Sequence, residues 1–415
     1  MTVFQKTQTD TERLWRDLDL LIRSGWGQDV RTALEPDVRS DPDGTLLYLP
    51  YPYLTPGGSG STFPEMYGWD TYHINLGLLA HDRSEQVRQH ILNQLFMIAR
   101  YGKVLNGNRS YYLSRSQTPL LAESLFRYCK QHVDLGLMMQ AYPLLKLEFE
   151  TYWSDENHLT PTGLTTAHDS GDPHHRPELA AEAETGLDFC AIYGGDVRRC
   201  VPLILNCALF RTLEVLAWAA NQLQLGEDAA RWRAEAAWRS ERIRTLCWDE
   251  KSEFFLEYDF VSEERLPHRS LCAYWTLWAG VASTAQAERL VAHLPDFEAR
   301  YGLAFTDRVY PSPHPEFSAL QWQYPAGWPP LHLIVVDGLT RYGYRAEARR
   351  VARTFLTGML ETYAATGLLW EKYNVLTGGP ELPLERYPTP PMHGWSAAAV
   401  AVLGRVLYPE TDARA

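Results

Sequence analysis

The fold is read from Ser84–Pro119. Its first half, SEQVRQHILNQLFMIAR (Ser84–Arg100), repeats with helical period. Val87, Ile91, Leu92, Leu95, Phe96 and Ile98 mark an apolar face, Arg88, Gln89 and Asn93 lie opposite, and Ser84 stands where an N-cap is expected. Its second half, NGNRSYYLSRSQTP (Asn106–Pro119), holds two Asn, two Arg, three Ser, two Tyr and one Gln, with little apolar beyond Leu113. Such a loop offers donors and acceptors in fixed directions, as a polyhydroxylated ligand requires. The plain alternative is a solvated loop with an Asn-Gly turn.

Working outward, the same period predicts about twelve helices, at roughly 9–24, 69–81, 84–101, 117–131, 134–153, 198–222, 226–246, 268–280, 283–294, 328–342, 345–365 and 393–407. Phe254–Val261 alternates like a strand and is expected to form a minor β-hairpin with a neighbour. Short links fall at 82–83, 132–133, 223–225, 281–282 and 343–344, and long ones at 25–68, 102–116, 154–197, 247–267, 295–327 and 366–392. Short links make antiparallel helix pairs and send every long loop to one side. An all-α chain arranged in this way closes as a ring of six helix hairpins, an (α/α)6 toroid, with function on the long-loop face. No Gly/Ser linker cuts residues 1–415, so one domain is expected, two separate helical bundles being the alternative.

Composition sets the class. Hydrophobic residues make up 45%, enough for a large core, and the 14 Trp and 23 Tyr suit surfaces that stack on one side and hydrogen-bond on the other. A formal charge of −12 with no basic stripe argues against nucleic acid. The six Cys are scattered and form no Cys-x-x-Cys pair, so neither a metal site nor a disulfide framework is expected. Met1–Arg23 is polar, and runs such as Leu331–Val336 and Ala397–Leu403 are too short to span a bilayer. These features lead to the expectation of a cytoplasmic protein without membrane partner. The formal glycosylation sequon Asn108-Arg109-Ser110 carries no meaning there. The sequence leaves oligomeric state open, a homo-oligomer included.

The other long loops carry the chemistry. Gly-Trp precedes three helices, at Gly68-Trp69, Gly327-Trp328 and Gly394-Trp395, so three indoles enter the ring on one face, as lining or as core anchors. The third loop holds Asp169, His174, His175, Arg176 and Glu178. Glu182 and Glu184 read as a solvated acidic turn. Asp188 differs, because Leu187 and Phe189 flank it, and a desolvated carboxyl is suited to donate a proton. The fifth loop interleaves Gln321, Trp322, Gln323, Tyr324 and Trp328, and the sixth sets Glu371 among aromatics just past a helix end, where pairing with Lys372 is the bland alternative.

These segments together resemble the clan of (α/α)6 inverting glycosidases that includes trehalases and glycoside hydrolase family 63. Pro56-Gly57-Gly58 with Glu65-Met66-Tyr67-Gly68-Trp69-Asp70 resembles one trehalase signature, and Gln321-Trp322 through Pro325-Ala326-Gly327-Trp328-Pro329-Pro330 the other. Asn106–Pro119 is similar to the sugar-binding loop, and Arg176-Pro177-Glu178, Glu184–Phe189 and Glu371-Lys372-Tyr373 to the remaining site segments. Ser59 and Leu187 stand where trehalases carry Arg and Trp, and the glycine run after Tyr373 shrinks to Gly378-Gly379. Those departures are nearer to short bacterial family 63 enzymes acting on mannosylglycerate or glucosylglycerate.

The resemblance implies that Asp188 is the general acid and Glu371 the general base, with Glu385 the alternative base. Trp69, Trp322 and Trp328 would wall the sugar, with Tyr67 and Tyr112 beside them. Asp70, Asn106, Arg115 and Gln117 would read hydroxyls, and Arg176 and Glu178 would face the aglycone. Gly68, Gly186, Gln321, Gln323, Tyr373 and Trp395 complete the expected contacts. A glycerate carboxylate would need Arg109, Arg115 or Arg176. The implied substrate is a small α-glycoside, and the mechanism needs no metal or organic cofactor. A trehalase or other α-glucosidase, and a non-catalytic sugar-binding toroid, are the competing readings.

Overall fold

Ser84–Tyr101 forms a helix, as its period predicts, and Val87, Ile91, Leu95 and Ile98 are buried. Two details differ. Ser84 is the first helical residue rather than the cap. Asn93 is fully buried, because its amide clamps the backbone of Tyr51 from both sides, Oδ1 accepting and Nδ2 donating at 3.0 Å. A side-chain amide that mimics a strand neighbour reads as surface in a pattern of apolar residues.

The computed structural model describes residues 8–57, 62–169 and 171–409. Gly58 and Ser59, part of the first signature segment, lie outside them. The helices are α1 (Gln8–Gly25), α2 (Glu35–Ser40), α3 (Gly68–Ala80), α4 (Ser84–Tyr101), α5 (Leu121–Gln131), α6 (Leu135–Thr151), α7 (Pro177–Glu184), α8 (Leu203–Gln222), α9 (Gly226–Cys247), α10 (Trp275–Ala279), α11 (Thr284–Ala292), α12 (Pro329–Arg341), α13 (Arg345–Thr366) and α14 (Gly394–Leu407).

Six of them pack side to side in a closed ring: α3 on α5, α5 on α8, α8 on α10, α10 on α12, α12 on α14, and α14 back on α3. A second layer alternates with these in the chain: α4 packs on α3 and α5, α6 on α8, α9 on α8, and α13 on α12 and α14, while α1 lies on α13 and α14. This is the (α/α)6 toroid. Each inner helix is preceded by a long connection, and α3, α5, α8, α10 and α12 are followed by a short one, so the inner N-termini and the long loops share one mouth. Inner helices are buried on nearly every side. That explains why α8 is apolar and long enough to cross a membrane by composition, yet sits inside the ring.

Several expected boundaries move. α5 starts at Leu121 rather than 117, because Pro119 disfavours helix in the residue before it. α8 starts at Leu203, after Pro202, and Cys200–Val201 is instead a short strand. The alternating Phe254–Val261 run splits in two: Phe254–Phe255 pairs with Trp248–Asp249, and Tyr258–Asp259 lies between Cys200–Val201 and Glu264–Arg265. The Val30–Ala33/Leu49–Leu54 pair in the first loop is not evident in the sequence, being broken by two prolines.

Pro177–Glu184 is a helix rather than part of a solvated acidic turn. Glu182 and Glu184 are 0% and 1% exposed. Glu184 accepts from Tyr152, the Ser116 and His168 backbone N–H groups and His158 Nε2. Burial opposes its ionisation, but His158 and these donors outweigh it and hold the carboxyl below its usual range. A charged residue fully enclosed by partners looks like any surface charge in one dimension.

Candidate active site

At the long-loop mouth, Trp69 opens α3, Trp395 opens α14 and Trp328 caps α12. With Trp322 they form one aromatic cluster. Trp322 and Trp328 stack at 3.6 Å and 13°, Trp69 lies 5.8 Å from Trp322, and Trp395 lies 5.9 Å from Trp69 and 6.0 Å from Trp328. The glycine before each Trp is a close approach: a Cβ at Gly327 would fall 2.3 Å from Val375. The four indoles wall a cup of about 200 Å³.

Of the expected residues, Tyr67, Trp69, Asp70, Asn106, Tyr112, Arg115, Gln117, Gly186, Asp188, Trp322, Trp328, Glu371 and Trp395 line it. Asp188 and Glu371 therefore open into the same cup from loops far apart in the chain. Gly186 shapes the loop that carries Asp188. Its φ is +84°, and a Cβ there would meet the Trp69 ring at 3.0 Å. Phe189 follows Asp188 at φ +59°, so the turn that carries Asp188 is tight on both sides.

The carboxyls occupy different settings. Burial and the negative charge of Glu182 push Asp188 up to about 6, against Arg115 and Trp322. Burial also raises Glu371. Lys372 Nζ at 3.0 Å and the Tyr387 hydroxyl, which donates at 2.8 Å, pull the other way. Glu371 is further held by its own N–H on Pro390 O and by Trp395 Nε1 donating to its carbonyl at 2.9 Å. Asp70, on the first turn of α3, is pushed up to about 8 by burial, with Glu371 and Asp188 adding to the rise.

The polar rim rests on the loop at Asn106–Pro119. Gln117 Oε1 accepts from Trp69 N–H at 2.9 Å, capping α3, and Asn106 Nδ2 reaches the carbonyls of Ser116 and Ala183 at 3.4 Å. Arg115 is gripped by Asp169 at 2.9 Å and by Asp172, and stacks over Tyr112.

Other expected contacts are turned to different work. Arg176 bonds His314 and Glu316, and Glu178 bonds Arg198; neither lines the cup. Arg109 bridges Asp41 and Glu65. Gly68 is behind the lining, its N–H on Asn106 O. Gln321 Oε1 accepts from Arg386 N–H, Gln323 Nε2 reaches Leu320 O, and the Tyr373 hydroxyl accepts from Trp370 N–H, all outside the lining. Glu385 accepts from Thr389 and lies 3.6 Å from Lys372, one layer behind Glu371. Phe63, Ala183, Tyr387 and Met392 also line the cup and are not expected from sequence. Tyr387 lies 16 residues past Glu371 in a Pro-rich stretch, and no local pattern marks it.

A family model described as Trehalase matches residues 3–183 and 183–404. The cytosolic neutral trehalase of Kluyveromyces lactis is 31% identical over 81% of this chain and 52% of its own length. The periplasmic trehalase of Xanthomonas oryzae pv. oryzae is 30% identical over 90% and 71%. This chain thus spans about half the length of the fungal relatives it matches. The solved neutral trehalase Nth1 from Saccharomyces cerevisiae superposes with a TM-score of 0.82 at 25% identity, covering 96% of this chain and 94% of that one. A mannosylglycerate hydrolase from Thermus thermophilus shares the fold, with a TM-score of 0.65 at 16% identity over 94% and 99%. The chain belongs to the trehalase family of glycosidases.

Proposed function

We propose that this protein hydrolyses a neutral α-glucosidic disaccharide, trehalose first among candidates, with inversion at the anomeric carbon. The observation that carries the reading is the pairing of Asp188 and Glu371 in one aromatic cup, with different partners at each. Asp188, desolvated beside a buried anion, is suited to hold a proton; burial raises Glu371 as well, but the Lys372 ammonium and the Tyr387 phenol favour its ionised form. Asp188 gives its proton to the glycosidic oxygen as the C–O bond breaks and its electron pair goes to that oxygen. Glu371 takes a proton from the water whose oxygen bonds to the anomeric carbon on the other face. The indoles stack on the pyranose. Asp70, raised to about 8, stays protonated and can both donate to and accept from a hydroxyl.

The arginines favour a neutral substrate. Burying a glycerate carboxylate needs an uncommitted cation. Arg109, Arg115 and Arg176 are all occupied by carboxylates, and Arg115 alone of the three lines the cup. Mannosylglycerate or glucosylglycerate is the second reading. What favours it is Arg386, which stacks over Phe189 and Phe317 beside the acid-bearing turn and makes no ion pair among the described residues. A cytoplasmic setting accords with six free cysteines and with the cytosolic names of fungal relatives.

The test is a hydrolysis screen of trehalose, kojibiose, mannosylglycerate and glucosylglycerate, with proton NMR of the first-formed anomer. Trehalose turnover releasing β-glucose is expected. Asp188→Asn and Glu371→Gln should each lower kcat by roughly 10³-fold or more with the melting temperature kept. Sugar binding by calorimetry with no hydrolysis of any α-glycoside would leave a non-catalytic toroid.

A further inference from the structure

Glu182 is a buried carboxylate that the mechanism above does not use. It lies on α7, fully enclosed, six residues before Asp188. Its Oε1 accepts from the Cys190 N–H at 2.7 Å. That N–H is the second after Asp188 and directly follows Phe189, the residue at φ +59°. A non-glycine residue in this region costs about 1 kcal/mol or more unless its surroundings hold it. The same turn is tied to the fifth loop. Gln321 and Trp322 both donate backbone N–H groups to Phe189 O, at 2.8 and 3.3 Å, and Cys190 bridges to Trp322.

The other carboxylate oxygen faces His314, whose Nε2 lies 3.6 Å away in a wholly buried contact. The tautomer follows from the far side of that ring. Arg176 Nη2 lies 2.7 Å from Nδ1, and a guanidinium can only donate, so Nδ1 accepts and the imidazole proton sits on Nε2, aimed at Glu182. Arg176 in turn reaches Glu316 at the surface. The line from Glu316 through Arg176 and His314 to Glu182 ends on the backbone of the acid-bearing turn.

Resting on the functional reading above, we propose that Glu182, backed by His314, is the positioning residue for the acid Asp188: it fixes the tight turn and sets a buried negative charge behind the carboxyl. Its charge is the largest influence on Asp188 after burial. The other charged or titratable groups facing Asp188 are Arg115, Tyr112, Asp70, Glu371 and Tyr387. Burial raises Glu182 itself, while His314 and the backbone N–H groups of Cys190 and Phe189 favour its ionised form; it also faces the Cys190 thiol and, beyond the Cys190 amide, Asp188.

Glu182→Gln keeps an acceptor for the Cys190 N–H and removes the charge. The basic limb of the kcat/KM–pH profile, where Asp188 loses its proton, should then move down by about one pH unit. His314→Leu, which removes the imidazole facing Glu182 and so makes that carboxyl easier to protonate, should move it the same way, so the idea remains testable if the first variant folds poorly. Turnover of trehalose should fall at least about tenfold more than turnover of α-glucosyl fluoride, whose leaving group needs no proton. An unmoved basic limb, or equal losses on the two substrates, would overturn the proposal. If the unaltered protein hydrolyses no α-glycoside, the functional reading fails by itself. Carbon-13 titration of the Asp188 carboxyl in both proteins then decides the role of Glu182: a downward shift in the variant supports it, and no shift refutes it.

Discussion

Deleting one oxygen, in Tyr387→Phe, tests how the base is set. The Tyr387 hydroxyl donates to Glu371 Oε1 at 2.8 Å, and Lys372 holds the other oxygen at 3.0 Å. The Glu371 side chain is 4% exposed, so solvent cannot replace the lost donor freely. A hydrogen bond to a buried charged group contributes about 1.5–3 kcal/mol. One pH unit corresponds to about 1.4 kcal/mol. The phenol favours the ionised form, so its removal makes Glu371 easier to protonate, and the acidic limb of the kcat/KM–pH profile should rise by about one to two units. On the acidic side of the limb, activity should drop roughly 10- to 100-fold, and the pH window between this limb and the basic limb set by Asp188 should narrow. The measurement is initial-rate glucose release from trehalose across about pH 4 to 9, with circular dichroism to verify the fold. A uniform loss at every pH, with the acidic limb in place, would refute the reasoning, because it would mean that the phenol does not tune the base.

Two further outcomes follow from the same geometry. Gly186→Ala places a Cβ 3.0 Å from the Trp69 ring at φ +84°, so it should cost about 1–3 kcal/mol in urea unfolding and abolish most turnover by displacing the turn that carries Asp188. Glu257, buried in the fourth loop, accepts from Leu203 N–H and is pushed up to about 8 by burial. A carboxyl raised on folding keeps its proton in the native state through the interval where the unfolded chain has lost it, so its contribution is intact below about pH 4.5 and is lost as pH rises toward 8. Glu257→Gln should therefore narrow the difference between melting temperatures at about pH 5 and pH 8, by calorimetry.

The linear order of this chain determined the ring, because period and link length are local quantities. Apolar residues at helical spacing give the helices, and links of two or three residues allow only antiparallel neighbours, which gathers the long loops at one mouth. The Gly-Trp repeats and the isolated Asp188 and Glu371 were legible for the same reason: each stands out against its immediate neighbours. Tertiary structure alone decided the electrostatics. Arg176 looked available for a ligand and is spent on His314 and Glu316, Arg109 on Asp41 and Glu65, while Glu182 and Glu184 looked solvated and are enclosed. Whether a charge is free depends on partners tens or hundreds of residues away and on the water they displace. Tyr387 entered the cup in the same way, through a Pro-rich loop whose path is set by what it packs against rather than by its own pattern.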